Sequence, residues 1–233
     1  MIDTIDVCIV SRDGSLPKGL EFIPIGKLII ETSKPLGVAR QKAIQQVTSQ
    51  WFAFIDDDME IQPFWFKNLA NHIDEKTGGI WGIIQYRGLG KYFDESTDVR
   101  QRYRILGPKE RFNTNNTLFR TEAVKDWSPS KDLTCYEDLE IGLHIMSKGY
   151  QLKAVPGGAI HWRSWYKMAK NAVWGGRTYR RILKPSPLRY MGEYFKRLIW
   201  NRITALFRYG IIFMILSGWR DIFFVFGMLT EWV

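Results

Sequence analysis

Cysteine is nearly absent from this chain of 233 residues: Cys8 and Cys135 are the only two. Two thiols exclude a disulfide framework and a thiolate zinc site, and they fit a reducing compartment. Long hydrophobic runs are missing as well. No uncharged apolar stretch reaches the roughly 18 residues that a helical membrane span needs. The nearest approach, Tyr209 to Trp219 followed by Ile222 to Thr230, is interrupted by Arg220 and Asp221, and each piece is short for a crossing. Met1 to Asp6 is acidic where a secretory signal would be basic. There is no internal repeat and no low-complexity segment. Disorder is excluded by a 45% hydrophobic content and an aromatic content of 15%.

Acidic residues are scarce in one place only. Residues 163–233 hold 13 Lys+Arg against three acids, Glu193, Asp221 and Glu231, a net of +10. Residues 1–162 have a net of −1, so the chain's whole excess of +9 sits in its tail. The tail also carries 16 of the 34 aromatic residues. Two parts are therefore expected: a near-neutral catalytic domain over 1–165 and a basic, aromatic helical tail over 166–233. An asymmetry of this kind points to a polyanionic partner, membrane or nucleic acid. No nucleic-acid motif accompanies the charge, which favours the membrane.

Ile5–Val10 and Lys27–Glu31 read as strands from their β-branched content. Trp51–Ile55 is apolar on both faces, as in a covered parallel sheet. Ile80–Tyr86, Asn116–Phe119 and Gln151–Val155 read as further strands, the last ending at the turn Pro156-Gly157-Gly158. Helical spacing marks Gly37–Gln50, Phe64–Asp74 and Thr134–Lys148. In the last of these, Thr134 and Glu137 have capping-box spacing and Gly149 is the stop. Residues 87–113 read as a long polar loop. Alternating strands and helices predict an α/β domain with a mostly parallel sheet.

Asp56-Asp57-Asp58 follows directly on the apolar strand. At the carboxyl end of a buried strand, these acids stand where open α/β sheets bind ligands. Hard oxygens suit Mg²⁺ or Mn²⁺, which bridges carboxylates to a diphosphate and stabilises a departing phosphate. The alternative is a solvated acidic turn. Glu137-Asp138 opens a helix, whose N-terminus favours ionised carboxylates. Asp138 is thereby suited to act as a general base toward a hydroxyl. His161 follows the last strand, as a structural histidine or as a metal ligand.

Taken in order, these segments resemble the family 2 glycosyltransferases. The resemblance is carried by Val7-Cys8-Ile9-Val10-Ser11-Arg12-Asp13, Gly37-Val38-Ala39-Arg40-Gln41, Phe54-Ile55-Asp56-Asp57-Asp58 and Asn116-Thr117-Leu118-Phe119-Arg120. Tyr136 to Leu143, Gly149-Tyr150 and His161 complete it, over about residues 5–165. The resemblance implies a GT-A fold: a Rossmann-like sheet flanked by helices. It also implies inverting, hexosyltransferase-like transfer of a sugar from a nucleotide-diphosphate donor. By this resemblance Asp138 is the catalytic base, with Glu137 in support, and Asp58 and His161 hold Mn²⁺ or Mg²⁺. Ser11, Asp13, Glu31, Arg40, Asp56, Asp57 and Asn116 face the donor, with Asn115 beside them. The family's usual Pro-Thr is Val10-Ser11 here, and its second-strand signature is reduced to Glu31-Thr32-Ser33, so the base of the nucleotide stays open. The Gln-x-x-Arg-Trp motif of processive synthases is missing, which favours single addition.

Leu188 to Arg208 has amphipathic periodicity with basic and aromatic residues, suited to a membrane interface. Peripheral attachment on the cytoplasmic, inner face of a membrane is expected, near an acceptor glycan or lipid-linked acceptor. Packing on the catalytic domain or in a homo-oligomer is the competing reading of the tail. For the whole chain the competing readings are a sugar-phosphate nucleotidyltransferase, which would want a Gly-rich basic N-terminal loop, and a non-catalytic membrane binder.

Overall fold

Trp51–Ile55 has no polar face and is buried on both sides, inside the sheet that the described residues form. The computed structural model describes residues 2–88, 103–108, 112–130, 137–163, 165–183, 192 and 201–230. Its strands are β1 (Ile5–Val10), β2 (Ile25–Glu31), β3 (Trp51–Ile55), β4 (Met59–Ile61), β5 (Thr77–Gly88), β6 (Arg104–Leu106), β7 (Asn116–Arg120) and β8 (Gln151–Arg163). Its helices are α1 (Leu36–Gln46), α2 (Trp65–Ala70), α3 (Thr121–Val124), α4 (Glu137–Ser147), α5 (Trp165–Leu183) and α6 (Asn201–Leu229). They fall into two compact units, one within Met1–Gln85 and Val99–Trp162, the other within Tyr86–Asp98 and Arg163–Val233.

The first unit is the sheet with its covering helices. Strand order is β2-β1-β3-β7-β5-β8-β4, with β6 alongside β8. β1 pairs in parallel with β2 and β3, whereas β7 runs antiparallel between β3 and β5. Side chains alternate across the sheet. One face carries Cys8, Phe52, Phe54 and Phe119, which pack with Ala43 and Ile44 of α1 and with Ile141 and Ile145 of α4. The Phe52 and Phe119 rings stack at 5.4 Å, and the Phe54 ring meets Phe52 edge-on at 5.3 Å. Burying each such side chain contributes roughly 1.5–3 kcal/mol. Burial also pushes the Cys8 thiol up, so it behaves as a small inert hydrophobe.

Several elements differ from the sequence expectation: β6 is a strand inside the expected loop 87–113, where it pairs with β8, and β8 and β4 depart as follows. β8 does not stop at Val155: it runs through Pro156-Gly157-Gly158 and carries His161 inside the strand. The reason is close approach. A Cβ on Gly157 would stand 2.9 Å from the Cα of Gly82 in β5, so only glycine lets these backbones meet. β4, unexpected from sequence, pairs antiparallel with this extension, placing Met59 opposite His161. The Thr134 half of the capping box lies outside the described residues, as do residues 89–102 and 109–111 of the expected loop. In the tail helix expected from Leu188, the same holds for residues 188–191 and 193–200.

Lys153 is almost fully buried in β8, and its ammonium donates to His72 O at 2.8 Å and Asp74 Oδ2 at 2.6 Å. These contacts, with the Thr77 hydroxyl, hold the Asp74 carboxyl down at about 2. The folded-state value lies below the ordinary 3.8. The contribution of Asp74 is therefore complete above that value and disappears as pH falls toward 2. Urea unfolding of Asp74→Asn beside the parent should show a gap in midpoint at pH 5 that closes near pH 2. A gap independent of pH would refute this ion pair.

In the second unit α5 and α6 pack against each other. A Cβ on Gly176 would meet Phe224 O at 1.9 Å, and one on Gly227 would meet Val173 O at 2.0 Å, so glycine on each helix permits backbone contact. Met168, Ala172 and Met228 are buried between them. α6 bends at Gly210 (φ 84°, ψ 171°) and then continues without a break through Arg220 and Asp221. The sequence reading divided this stretch at those two charges. The two charges sit side by side within the helix, Arg220 Nη2 at 3.3 Å from Asp221 Oδ1. Gly210–Leu229, with mean hydropathy 1.7, is long and apolar enough to cross a membrane by length and composition.

Candidate active site

The first catalytic-side cluster grows from the loop after β1. Ser11 Oγ lies 2.7 Å from Asp57 Oδ2, 3.0 Å from Asp13 Oδ1 and 3.0 Å from Ser15 Oγ. One hydroxyl carries one proton, so the short contact to Asp57 takes it and the others compete. Asp13 also accepts the Ser15 amide at 3.0 Å, a local turn that Asp-Gly-Ser sequences favour. Hydrogen bonds from the Ser15 hydroxyl and amide hold the Asp13 carboxyl below its usual value. Ser15 went unnoticed in the sequence, although the Asp13-Gly14-Ser15 turn was the available signal. At the end of β2, Glu31 accepts the Ser33 amide at 2.9 Å, and Ser33 and Lys42 keep its carboxyl low. The Glu31 carbonyl in turn accepts the Ser11 amide at 3.1 Å, tying these two loops together.

The second cluster is organised by Arg40. This guanidinium is buried in α1 at 5.0 Å from the centre of the Phe54 ring. Nη2 reaches Asp56 Oδ1 and Nε reaches Glu137 Oε1, each at 3.3 Å. Glu137 is the first residue of α4, so Arg40 joins the end of β3 to the start of that helix. Burial pushes the Glu137 carboxyl up and the charge of Asp138 adds to it, with Arg40 opposing. Burial likewise raises Asp56, against Arg40 and with help from Asp58 and Glu137. Asp56 still keeps 35% of its side chain open. It is crowded by protein on one side without being sealed, as on the wall of a crevice.

Asp138 is half-buried beside Glu137 and accepts its own helix's Leu139 amide at 2.8 Å. Asp58 Oδ2 lies 3.0 Å from His161 Nε2, brought there by the β4–β8 ladder. This pair joins a carboxylate oxygen to an imidazole nitrogen, a donor set that fits Mn²⁺ or Mg²⁺ if a diphosphate and water complete the shell. The surrounding acids strengthen the fit. Asp56 and Glu137 share one buried guanidinium, two carboxylates to a single cation. Among the described residues no group of three His, Cys, Asp or Glu forms a complete metal cage.

Asn116 stands apart from these acids. It is fully buried, accepts the Trp65 indole N–H at 3.2 Å and donates to Asn115 Oδ1 at 3.2 Å. It alternates with Thr117, which pairs with Phe54, so its side chain is on the sheet face opposite Arg40.

Removing Arg40 leaves two crowded carboxylates without their counter-charge. Arg40→Met should lower stability at neutral pH by about 3 kcal/mol, the low end for breaking a buried pair because Asp56 is partly open. Denaturant unfolding measures this directly, and a change under about 0.5 kcal/mol, the range of ordinary surface substitutions, would contradict the arrangement.

A model of glycosyl transferase family 2 matches residues 8–126, half of the chain. No curated protein sequence matches it. Among solved structures, the chain resembles the mannosyltransferase PcManGT from Pyrobaculum calidifontis, solved in complex with GDP-Man and Mn²⁺. Identity is 10%, coverage is 98% of this chain and 86% of that one, and the TM-score is 0.58. TarS residues 1–349 from S. aureus is a fainter likeness at 13% identity, with coverage of 98% and 91% and a TM-score of 0.47. The sheet and its flanking helices are those of the GT-A fold. The chain is a glycosyltransferase and belongs to glycosyl transferase family 2.

Proposed function

We propose that this glycosyltransferase moves a sugar from a nucleoside-diphosphate donor to an acceptor hydroxyl with inversion and with the help of a divalent cation. The observation that carries the reading is Arg40, which ties the Asp56–Asp58 end of β3 to the Glu137-Asp138 start of α4. The neighbour's GDP-Man and Mn²⁺ support the donor class and the metal.

In this reading Ser11, Asp13 and Glu31 receive the nucleoside, and Asp56 and Asp57 stand beside the diphosphate. Asp58 and His161 would hold Mn²⁺ or Mg²⁺, which when bound offsets charge on the leaving diphosphate. Asp138 accepts the proton of the acceptor hydroxyl. That oxygen forms its bond to the anomeric carbon while the carbon–diphosphate bond breaks on the opposite face, so the configuration inverts. Glu137, buried against Arg40 at 3.3 Å, links the start of α4 to α1. The acceptor in this reading is a glycan or a lipid-linked acceptor, reached by peripheral attachment of the basic tail to the inner face of a membrane.

The test is thermal unfolding with UDP, GDP and dTDP, each with and without Mn²⁺. At about 100 times its dissociation constant, one nucleotide should add about 2.7 kcal/mol, several degrees for a chain of this size, only when Mn²⁺ is present. No metal-dependent shift with any of them would defeat the metal-assisted reading. The configuration of the product, read by NMR, tests inversion separately.

A further inference from the structure

α6 leaves an apolar stripe uncovered. From the bend at Gly210 onward, Ile211, Ile215, Trp219, Ile222, Phe226 and Leu229 recur every third or fourth residue, and all six are exposed. Before the bend, Phe207 is 85% exposed. The other side of the helix is already occupied: Phe224, Gly227 and Met228 pack on α5 through Val173, Gly175 and Gly176. The stripe is therefore what remains after the two helices have satisfied each other. An uninterrupted row of large apolar side chains in water needs a partner.

Charge selects among the partners. α5, which packs on α6, carries Lys167, Lys170, Arg177, Arg180 and Arg181 and no acid. The region 163–233 as a whole has a net of +10. Two copies meeting through this region would bring like charges together. An anionic lipid surface instead supplies the opposite charge for the basic residues and an apolar layer for the stripe. Crossing the bilayer is disfavoured by two features. Arg220 and Asp221 fall at the middle of Gly210–Leu229, where a span tolerates charge least. The partner helix α5 is also too basic to accompany α6 through the hydrocarbon.

We propose that the α5–α6 pair lies in the plane of an anionic membrane leaflet, with the Ile211–Leu229 stripe sunk to the headgroup–acyl boundary and the exposed Lys170 and Arg177 of α5 among the headgroups. The glycine contacts at Gly176 and Gly227 assemble the pair before it meets lipid. This arrangement rests on the peripheral attachment proposed above and gives it a face and a depth, with α6 lying on the membrane and not across it.

The experiment uses the full chain. It is mixed with phosphatidylglycerol–phosphatidylcholine vesicles, about one part to two, or with phosphatidylcholine alone, and separated by flotation. The expected result is flotation with the anionic vesicles, release by alkaline carbonate, and at least about a 10-fold fall in bound fraction for the double variant Ile215→Glu, Ile222→Glu. Both positions are exposed, so the variant should keep the parent's circular dichroism and unfolding temperature. The pair Ile215→Leu, Ile222→Leu serves as the conservative control and should float like the parent. Failure of the parent to float on anionic vesicles overturns the proposal. So does retention after carbonate extraction, which marks a spanning helix. So does self-association in solution that the Glu variant abolishes while flotation is unchanged, which marks a second copy on the stripe.

Discussion

Asp138→Asn is expected to lower kcat by about 10³-fold, the middle to upper range for removing a positioned general base. Asn has the shape of Asp, and its amide oxygen can still accept the Leu139 N–H that holds Asp138 at the first turn of α4. What it loses is the ability to take a proton. The variant should therefore keep the parent's unfolding temperature and its thermal response to nucleoside diphosphate while losing turnover. Glu137→Gln is the informative comparison. Glu137 is buried and its carboxyl faces Arg40 at 3.3 Å, so its loss acts through the position of α4 and should fall mainly on stability. A variant at 138 retaining more than about a tenth of parental kcat would rule out the base role, because acid–base catalysis contributes at least about 10².

The second large effect is expected at Asp58. Asp58→Asn removes the charged oxygen that faces His161 Nε2 at 3.0 Å and leaves a weaker, neutral ligand. Turnover should fall about 10²- to 10³-fold, since charge on a leaving diphosphate is worth several kcal/mol when a cation offsets it. The diagnostic is the metal response. In the parent, removal of divalent ions by chelation should abolish transfer, and adding Mn²⁺ should restore it. In the variant, the rise in unfolding temperature that nucleoside diphosphate gives with Mn²⁺ should be lost. His161→Ala should weaken metal dependence less, because an aspartate contributes charge where a neutral imidazole does not. An Asp58→Asn protein with unchanged Mn²⁺ dependence would remove Asp58 from the metal site.

Parts of this architecture were written plainly in the sequence. Trp51–Ile55 could be read as a strand because all five residues are apolar, and a double-sided apolar run has few other homes. The acids at 56–58 and 137–138 stood at the edges of elements, where side chains are offered to a ligand. Other parts were hidden by distance or by local compromise. Pro156-Gly157-Gly158 has the composition of a turn, yet it is strand because β5 approaches at Gly82 and leaves no room for a side chain. β4, three residues long, is too short to show a period. Ser49 explains part of the early end of α1: with Thr48, its amide binds Asp6 Oδ2, at 2.7 Å for Thr48 and 3.2 Å for Ser49, pulling the chain away from helix after Gln46. The link from Arg40 to Glu137 joins residues nearly a hundred positions apart, and no local pattern records it. Nor could composition tell that Lys153 is buried, since a lysine in a strand reads as a solvent-facing residue until Asp74 and the His72 carbonyl are seen around its ammonium.

The guanidinium shared by Asp56 and Glu137 has a consequence for how this enzyme can change over time. Three residues in three separate segments form one ion-pair network, so no one of them is exchanged freely. Losing Arg40 alone strands two acids, whereas losing it together with Glu137 strands only one. The order in which substitutions accumulate therefore decides which of them a lineage survives. Neutralising Glu137 first opens a path by which Arg40 can later be replaced, and the reverse order passes through a poorly folded intermediate. Epistasis of this kind would be read as a double-variant cycle whose combined cost falls short of the sum of its single costs.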